Sequence, residues 1–298
     1  LLHVGSCVLA RHPPLTVLGA TVLTAATTSS YHWASMGTTN SAGKRLRAKW
    51  DAGEAAFGMW AGIPTSFTAE LGAVAGYDYV CADLQHGLVD EATMISMFQA
   101  IHGTGAVSLA RLAWNAPHLI MRALDVGAVG VILPLIDNAA EAARGVEACR
   151  YPPHGRRSYG PVRAQLVVGS GSTDDLNAES LCFAMIETRE GLENLDAIAA
   201  TPGLDGLYIG PSDLAIALDL PPQPLIGEAG EERPALAGAI EQIRQACEAN
   251  GLIAGIQCGS GRAAGYYARN GFRLITVGID TNMFRSAISS ELSAARGA

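Results

Sequence analysis

The amino-acid sequence predicts an α/β fold, a (β/α)8 barrel of the TIM type, and three observations carry that expectation. Short apolar runs alternate with longer stretches of helical spacing from residue 57 onward, the pattern of parallel strands joined by crossover helices. Eight such units occupy about 240 residues, close to the roughly 250 typical of such barrels. No G-x-G-x-x-G turn follows the first strand, which removes the main signal of the rival, an open doubly wound sheet.

The elements follow in order. FGMWAG (57–62) is the first strand, and SFTAELGAVAG (66–76) the helix after it, stopped by a glycine as helix ends commonly are. YVCADL (79–84) is the second strand, followed by a helix in EATMISMFQAIHG (91–103). VSLARL (107–112) and GVILPL (130–135) are the third and fourth, with helices in APHLIMRALDVG (116–127) and NAAEAARGVEACR (138–150). CFAMIE (182–187), GLYIGP (206–211), IAGIQ (253–257) and LITVGI (274–279) complete the eight. The later helices are expected in REGLENLDAIAA (189–200), RPALAGAIEQIRQACEANG (233–251) and GRAAGYYARNG (261–271). Residues 1–40 do not share the pattern and are expected to be a non-core extension, with residues 41–298 forming one barrel domain. LTVLGATVLTAA (15–26 region) is too short to span a bilayer. The extension reads either as a signal-peptide core or as upstream sequence ahead of a start at Met36, and the second reading is preferred.

Composition narrows the partners. The chain has 298 residues, 49% hydrophobic and 16% charged, with a net charge of −8. That surface has no general attraction for phosphate backbones, so neither nucleic acid nor a membrane is expected as a partner. The six cysteines are scattered and none forms a C-x-x-C. They read as small hydrophobes in a reducing, cytoplasmic compartment.

In a barrel the active site lies where the strands end, so the residues at those ends carry the chemistry. The second strand ends in Asp83, Gln85 and His86; the third in Arg111; the fifth in Glu187. The sixth runs into Gly210, Pro211, Ser212 and Asp213, and the eighth ends near Asp280. Glu187 and Asp213, on neighbouring strands, suit a hard dication, Mg²⁺ or Mn²⁺ with Co²⁺ as a further candidate. Taken singly, each acid reads better as a helix cap than as a ligand; as a pair on the active rim they read better as metal ligands. Gly210, Pro211, Ser212 and Asp213 also offer backbone N–H groups to a small carboxylate. Arg111 in an apolar strand needs a partner, either Asp83 or a substrate oxyanion. His86 has the chemistry of a proton carrier, and Asp125 is the candidate to orient it. Trp60 completes the expected substrate contacts. A metal, an anion site, an arginine and a histidine base together suit an enolate beside a carboxylate.

Seven segments in one order resemble the HpcH/HpaI aldolase and citrate lyase family: GMWAGIPTSFTAELGAVAGYDYVCADLQHG, RLAWN, LDVGAVGVILPLIDNAAEA, RYPPHGRRSYG, IETREG, IGPSDLA and VGIDTNMF. The resemblance runs from Phe57 to Phe284. It implies a barrel of the phosphoenolpyruvate/pyruvate-binding type and a class II, metal-dependent pyruvate aldolase, usually a hexamer with a helix exchanged between subunits. By position, His86 resembles the family's proton acceptor and Asp125 the acid that raises its basicity. Arg111 resembles the arginine on the enolate oxygen, and Glu187 and Asp213 resemble the metal ligands. The Ser212 and Asp213 backbone resembles the pyruvate carboxylate site. Two positions depart from the family: Gln85 where many members have Glu, and Met185 where many have a substrate-touching Gln.

The resulting expectation is an aldolase that makes or cleaves 4-hydroxy-2-oxo acids, yielding pyruvate and an aldehyde. The runner-up is an oxaloacetate decarboxylase, or a macrophomate-synthase-like enzyme, using the same enolate; Met185 keeps it open. A non-catalytic paralogue has no need of His86, Arg111, Glu187 and Asp213 together. The basic stretch RRSYGPVR (156–163) would be the nucleotide contact of a CoA-type lyase, but reads better as a solvated loop or subunit contact.

Overall fold

Eight parallel strands close on themselves in chain order, each bonded to its sequence neighbours and the last to the first. The computed structural model describes residues 42–222 and 234–297. The expected N-terminal extension, residues 1–40, lies outside the described residues. Helix α1 (Ala42–Asp51) precedes the barrel, and β1 (Ala56–Ala61) with α2 (Ser66–Val74) opens it. Then come β2 (Tyr79–Asp83), α3 (Glu91–Ile101), β3 (Val107–Arg111), α4 (Pro117–Asp125), β4 (Gly130–Leu133) and α5 (Ala139–Cys149). Two short helices, α6 (Ala164–Val168) and α7 (Thr173–Glu179), lead to β5 (Leu181–Ile186). The stretch expected as one helix over 189–200 is two, α8 (Arg189–Glu193) and α9 (Leu195–Ala199), broken at Asn194. The order closes with β6 (Gly206–Ile209), α10 (Pro211–Ala217), α11 (Pro234–Asn250), β7 (Ile253–Gln257), α12 (Gly261–Arg269), β8 (Leu274–Ile279) and α13 (Asp280–Arg296).

The period of two along each strand sorts the side chains into two cores. Val80, Ala82, Ala110, Val131, Ala184 and Leu207 face outward and pack under the helices. Tyr79 and Cys81, Val107 and Leu109, and Leu181, Phe183 and Met185 face the barrel interior. Leu46 and Trp50 of α1 join that interior cluster. The Trp50 indole donates to the Arg273 carbonyl at 2.9 Å and meets the Phe183 ring edge-on at 6.1 Å. Helix α1 therefore plugs the end of the barrel where the strands begin.

The same alternation places the site. Asp83 continues the inward series Tyr79, Cys81; Arg111 continues Val107, Leu109; Glu187 continues Leu181, Phe183, Met185. Each is the first polar member of an otherwise apolar row, at the end where the strand stops. At the seam, buried Asp280 accepts from the N–H groups of Gly62 (2.8 Å) and Ile63 (3.1 Å), which ties the loop after β1 to the start of α13.

Candidate active site

A cavity of about 260 Å³ opens at the C-terminal ends of the strands. Its wall brings together Trp60 and Gly62 from β1 and its loop, Asp83, His86, Gly87 and Leu88 from β2 and its loop, and Arg111 from β3. Across from these stand Gly210, Pro211, Ser212 and Asp213, with Gln257, Ile279, Thr281 and Asn282 closing the ring.

Asp83 organises one side. Its Oδ1 accepts from Arg111 Nε at 2.8 Å and its Oδ2 from Arg111 Nη2 at 2.5 Å. Oδ1 also accepts from the backbone N–H groups of Gln85 (3.1 Å) and His86 (3.2 Å). One buried carboxylate thus holds the arginine in a two-bond fork and folds the turn that carries His86, whose residue is exposed at the cavity. Gly87 is required there: a Cβ would stand 2.3 Å from the Asp83 carbonyl oxygen. Buried ion pairs of this kind gain from full hydrogen bonding. The face of the guanidinium lies over Trp60, 4.1 Å from the ring centroid, an attraction strengthened by desolvation.

Glu187 follows β5 and is 3% exposed. Its Oε1 accepts from the Leu135 N–H at 2.9 Å, and Leu135 adopts a left-handed φ of 53° to present that group. Gly210 lies against the other oxygen; a Cβ there would sit 2.3 Å from Oε2. Burial pushes the Glu187 carboxyl up to about 7, the Asp213 charge adds to that, and the Leu135 N–H and Arg111 oppose it. A buried carboxyl beside a second carboxyl favours a cation between them. Among the described residues no group of three or more His, Cys, Asp or Glu side chains is disposed to hold a metal. Two carboxylates alone still fit a hard dication that keeps positions open for substrate or water, and the charge balance at Glu187 fits that use.

Two of the expected residues lie away from the cavity in this chain. Asp125 is not brought to His86 within this chain. It ends α4, whose direction returns it to the opposite end of the barrel, and its Oδ1 accepts from Arg157 Nη2 at 2.8 Å. Met185 does not line the cavity. As the inward residue before Glu187 it sits one layer deeper, fully buried with Trp60 and Tyr208. The other expected residues, His86, Arg111, Asp83, Gly210, Pro211, Ser212, Asp213 and Trp60, meet at the one cavity. Gln257, Thr281 and Asn282 were missed. The period of two in IAGIQ, inward at Ile253, Gly255 and Gln257, is the signal that would have found the first.

Comparison with known proteins points to one family. The family model described as HpcH/HpaI aldolase/citrate lyase matches residues 56–287. A hydroxypyruvate/pyruvate aldolase of Rhizorhabdus wittichii is 38% identical over 252 residues, covering 85% of this chain and 98% of that protein. A 4-hydroxy-2-oxo-heptane-1,7-dioate aldolase of Klebsiella pneumoniae is 35% identical over 248 residues, covering 82% and 90%. The crystal structure of an HpcH/HpaI aldolase/citrate lyase family protein from Burkholderia cenocepacia superposes with a TM-score of 0.75 at 31% identity, over 87% of this chain and 100% of that one.

Proposed function

The chain belongs to the HpcH/HpaI aldolase/citrate lyase family, a carbon–carbon lyase by that membership, and on that premise we propose that it is a metal-dependent aldolase. The reaction is cleavage or formation of a 4-hydroxy-2-oxo acid, with pyruvate and an aldehyde as the other side of the equation. The observation that carries the reading is the meeting, in one cavity, of a forked arginine, a histidine and an acid beside a second, buried acid.

Cleavage breaks the C3–C4 bond, sends the C4 hydroxyl proton to a base and leaves negative charge on the C2 oxygen. Arg111 suits that oxygen: Asp83 occupies Nε and Nη2, which leaves Nη1 for the oxyanion. Oriented donors aimed at developing charge usually lower the barrier more than any other single effect in such catalysis. His86 accepts the hydroxyl proton and returns it in the synthetic direction. The first-turn N–H groups of Ser212 and Asp213 in α10 have no intrahelical partner and bind the pyruvate carboxylate. Glu187 and Asp213 would hold Mg²⁺ or Mn²⁺, with Co²⁺ as a further candidate, and the bound ion would supply Lewis acidity toward the 2-oxo group.

The same enolate allows a second outcome, decarboxylation of oxaloacetate. Aldehyde-dependent consumption of pyruvate against release of CO₂ from oxaloacetate separates the two. For partners, α13 supports a homo-oligomer, a hexamer by family likeness. Only its first residue, Asp280, is buried, and Phe284, Ile288 and Leu292 form an exposed stripe at helical spacing, 61%, 49% and 47% exposed. Among the described residues no helix is long and apolar enough to cross a membrane. Cys81, Cys149, Cys182, Cys247 and Cys258 are free and buried, which supports a reducing, cytoplasmic setting.

A further inference from the structure

Arg111 is held from two sides, and the second leads down into the barrel. Asp83 grips an edge of the guanidinium; Trp60 lies against its face. Trp60 is in turn stacked on Tyr208, ring centroids 5.7 Å apart and planes 20° from parallel. The Tyr208 hydroxyl lies 2.6 Å from Thr276 Oγ1, and the same oxygen is 2.9 Å from the Tyr79 hydroxyl. Tyr79, Tyr208 and Thr276 are all fully buried.

Packing alone does not select this cluster. Phe, Val and Phe would fill similar volumes without taking three hydroxyls out of water. Room has also been cleared for the rings. Gly58 is the register partner of Tyr79 and Gly255 that of Tyr208. A Cβ at Gly58 would stand 2.2 Å from the Tyr79 ring, and one at Gly255 would stand 2.6 Å from the Tyr208 ring. Glycine weakens a strand interior, so each position gives up strand stability for the placement of a ring.

The fork to Asp83 fixes two nitrogens but leaves the guanidinium able to hinge about that edge. Contact with an aromatic face removes the hinge and fixes the plane in which Nη1 points. We infer that Thr276, Tyr208 and Trp60 form a column that sets the plane of Arg111, and that Tyr208 and Thr276 are positioning residues for the reaction although neither lines the cavity. The inference rests on the reading of Arg111 as the group that receives the developing oxyanion.

The test compares Tyr208→Phe, Tyr208→Leu and Thr276→Val with wild type for kcat, for KM and for calorimetric affinity toward oxalate, a planar dianion resembling the pyruvate enolate. A misplacement near 1 Å costs on the order of 10²-fold. The column therefore predicts a kcat per folded protomer lowered by roughly 10–100-fold in Tyr208→Leu, and by less in Tyr208→Phe, which keeps the stack, and in Thr276→Val. KM stays within about twofold and oxalate affinity falls in the same order. A merely structural role lowers the folded fraction and leaves kcat per folded protomer and oxalate affinity at wild-type values, which overturns the inference. If Tyr208→Leu does not fold, wild-type kcat and oxalate affinity in both Tyr208→Phe and Thr276→Val overturn it equally. A crystal structure of Tyr208→Leu, or of Thr276→Val, keeps this separate from the reading of the reaction. Should wild type neither turn over nor bind oxalate, that reading fails, while a guanidinium turned from the Trp60 face supports the column and an unmoved one refutes it.

Discussion

Replacing Glu187 by Gln should stabilise the metal-free protein at alkaline pH, which is unusual for a buried polar substitution. The carboxyl is 3% exposed and its pKa stands at about 7 against an ordinary 4.5. At ~1.4 kcal/mol per pH unit that gap amounts to roughly 3 kcal/mol. The sign follows from proton binding. Between pH 4.5 and 7 the folded state keeps a proton that the unfolded state has released, so stability is lost as pH rises through that window and the loss is complete above it. Gln has the same shape, keeps an acceptor for the Leu135 N–H and carries no charge. Calorimetry in EDTA at about pH 8.5 should place the variant above wild type by about 10 °C, using roughly 2–4 °C per kcal/mol for a domain of this size. At about pH 5 the difference should shrink below about 1 kcal/mol. Added Mg²⁺ or Mn²⁺ at about a hundred times its Kd should return about 2.7 kcal/mol to wild type and little to the variant. A variant no more stable than wild type in the alkaline EDTA scan would show that burial of this charge is not costly.

Other substitutions test the remaining parts. Gly210→Ala would place a methyl 2.3 Å from Glu187 Oε2; the protein should fold but lose metal affinity, read by calorimetric titration, and most of its activity. Arg111→Lys removes the two-bond fork and the planar face together, and kcat should fall by about 10²–10³, the loss seen for one oxyanion donor, with an unchanged circular dichroism spectrum. His86→Ala should lower aldol turnover by roughly 10²–10⁴ while metal binding, measured by titration, persists. Charges on the α13 stripe, Phe284→Asp with Ile288→Asp, should shift the assembly to smaller species in analytical ultracentrifugation; an unchanged distribution removes that helix from the interface.

The strands were legible because a buried parallel strand is an apolar run of its own length. IAGIQ and LITVGI are strands over the residues expected, and VSLARL loses only its last residue. Asp83, Arg111 and Glu187 were legible because each breaks such a run at its end. Helices were harder where the local signal is short. Asn194 splits α8 from α9, and α1, α6, α7 and α13 were not assigned as helices from the sequence. Thr281 and Asn282 reach the cavity only because α13 starts directly at the end of β8, which no local pattern announces. Asp125 shows the converse limit. Its sequence position suggested a partner for His86, but helix direction sets it at the other end of the same barrel. Nor does any spacing in the sequence reveal that Trp60, on β1, lies beneath Arg111, on β3.

Everything proposed for this site depends on its making an enolate of pyruvate with help from a divalent ion. Exchange of the pyruvate methyl protons in D₂O, followed by NMR with Mg²⁺ or Mn²⁺ and then with EDTA, probes that step without any choice of aldehyde. Exchange should require the metal and should be abolished in Glu187→Ala. A folded, metal-loaded protein that leaves the methyl protons in place, or exchanges them equally well in EDTA, would show that the site does no such chemistry.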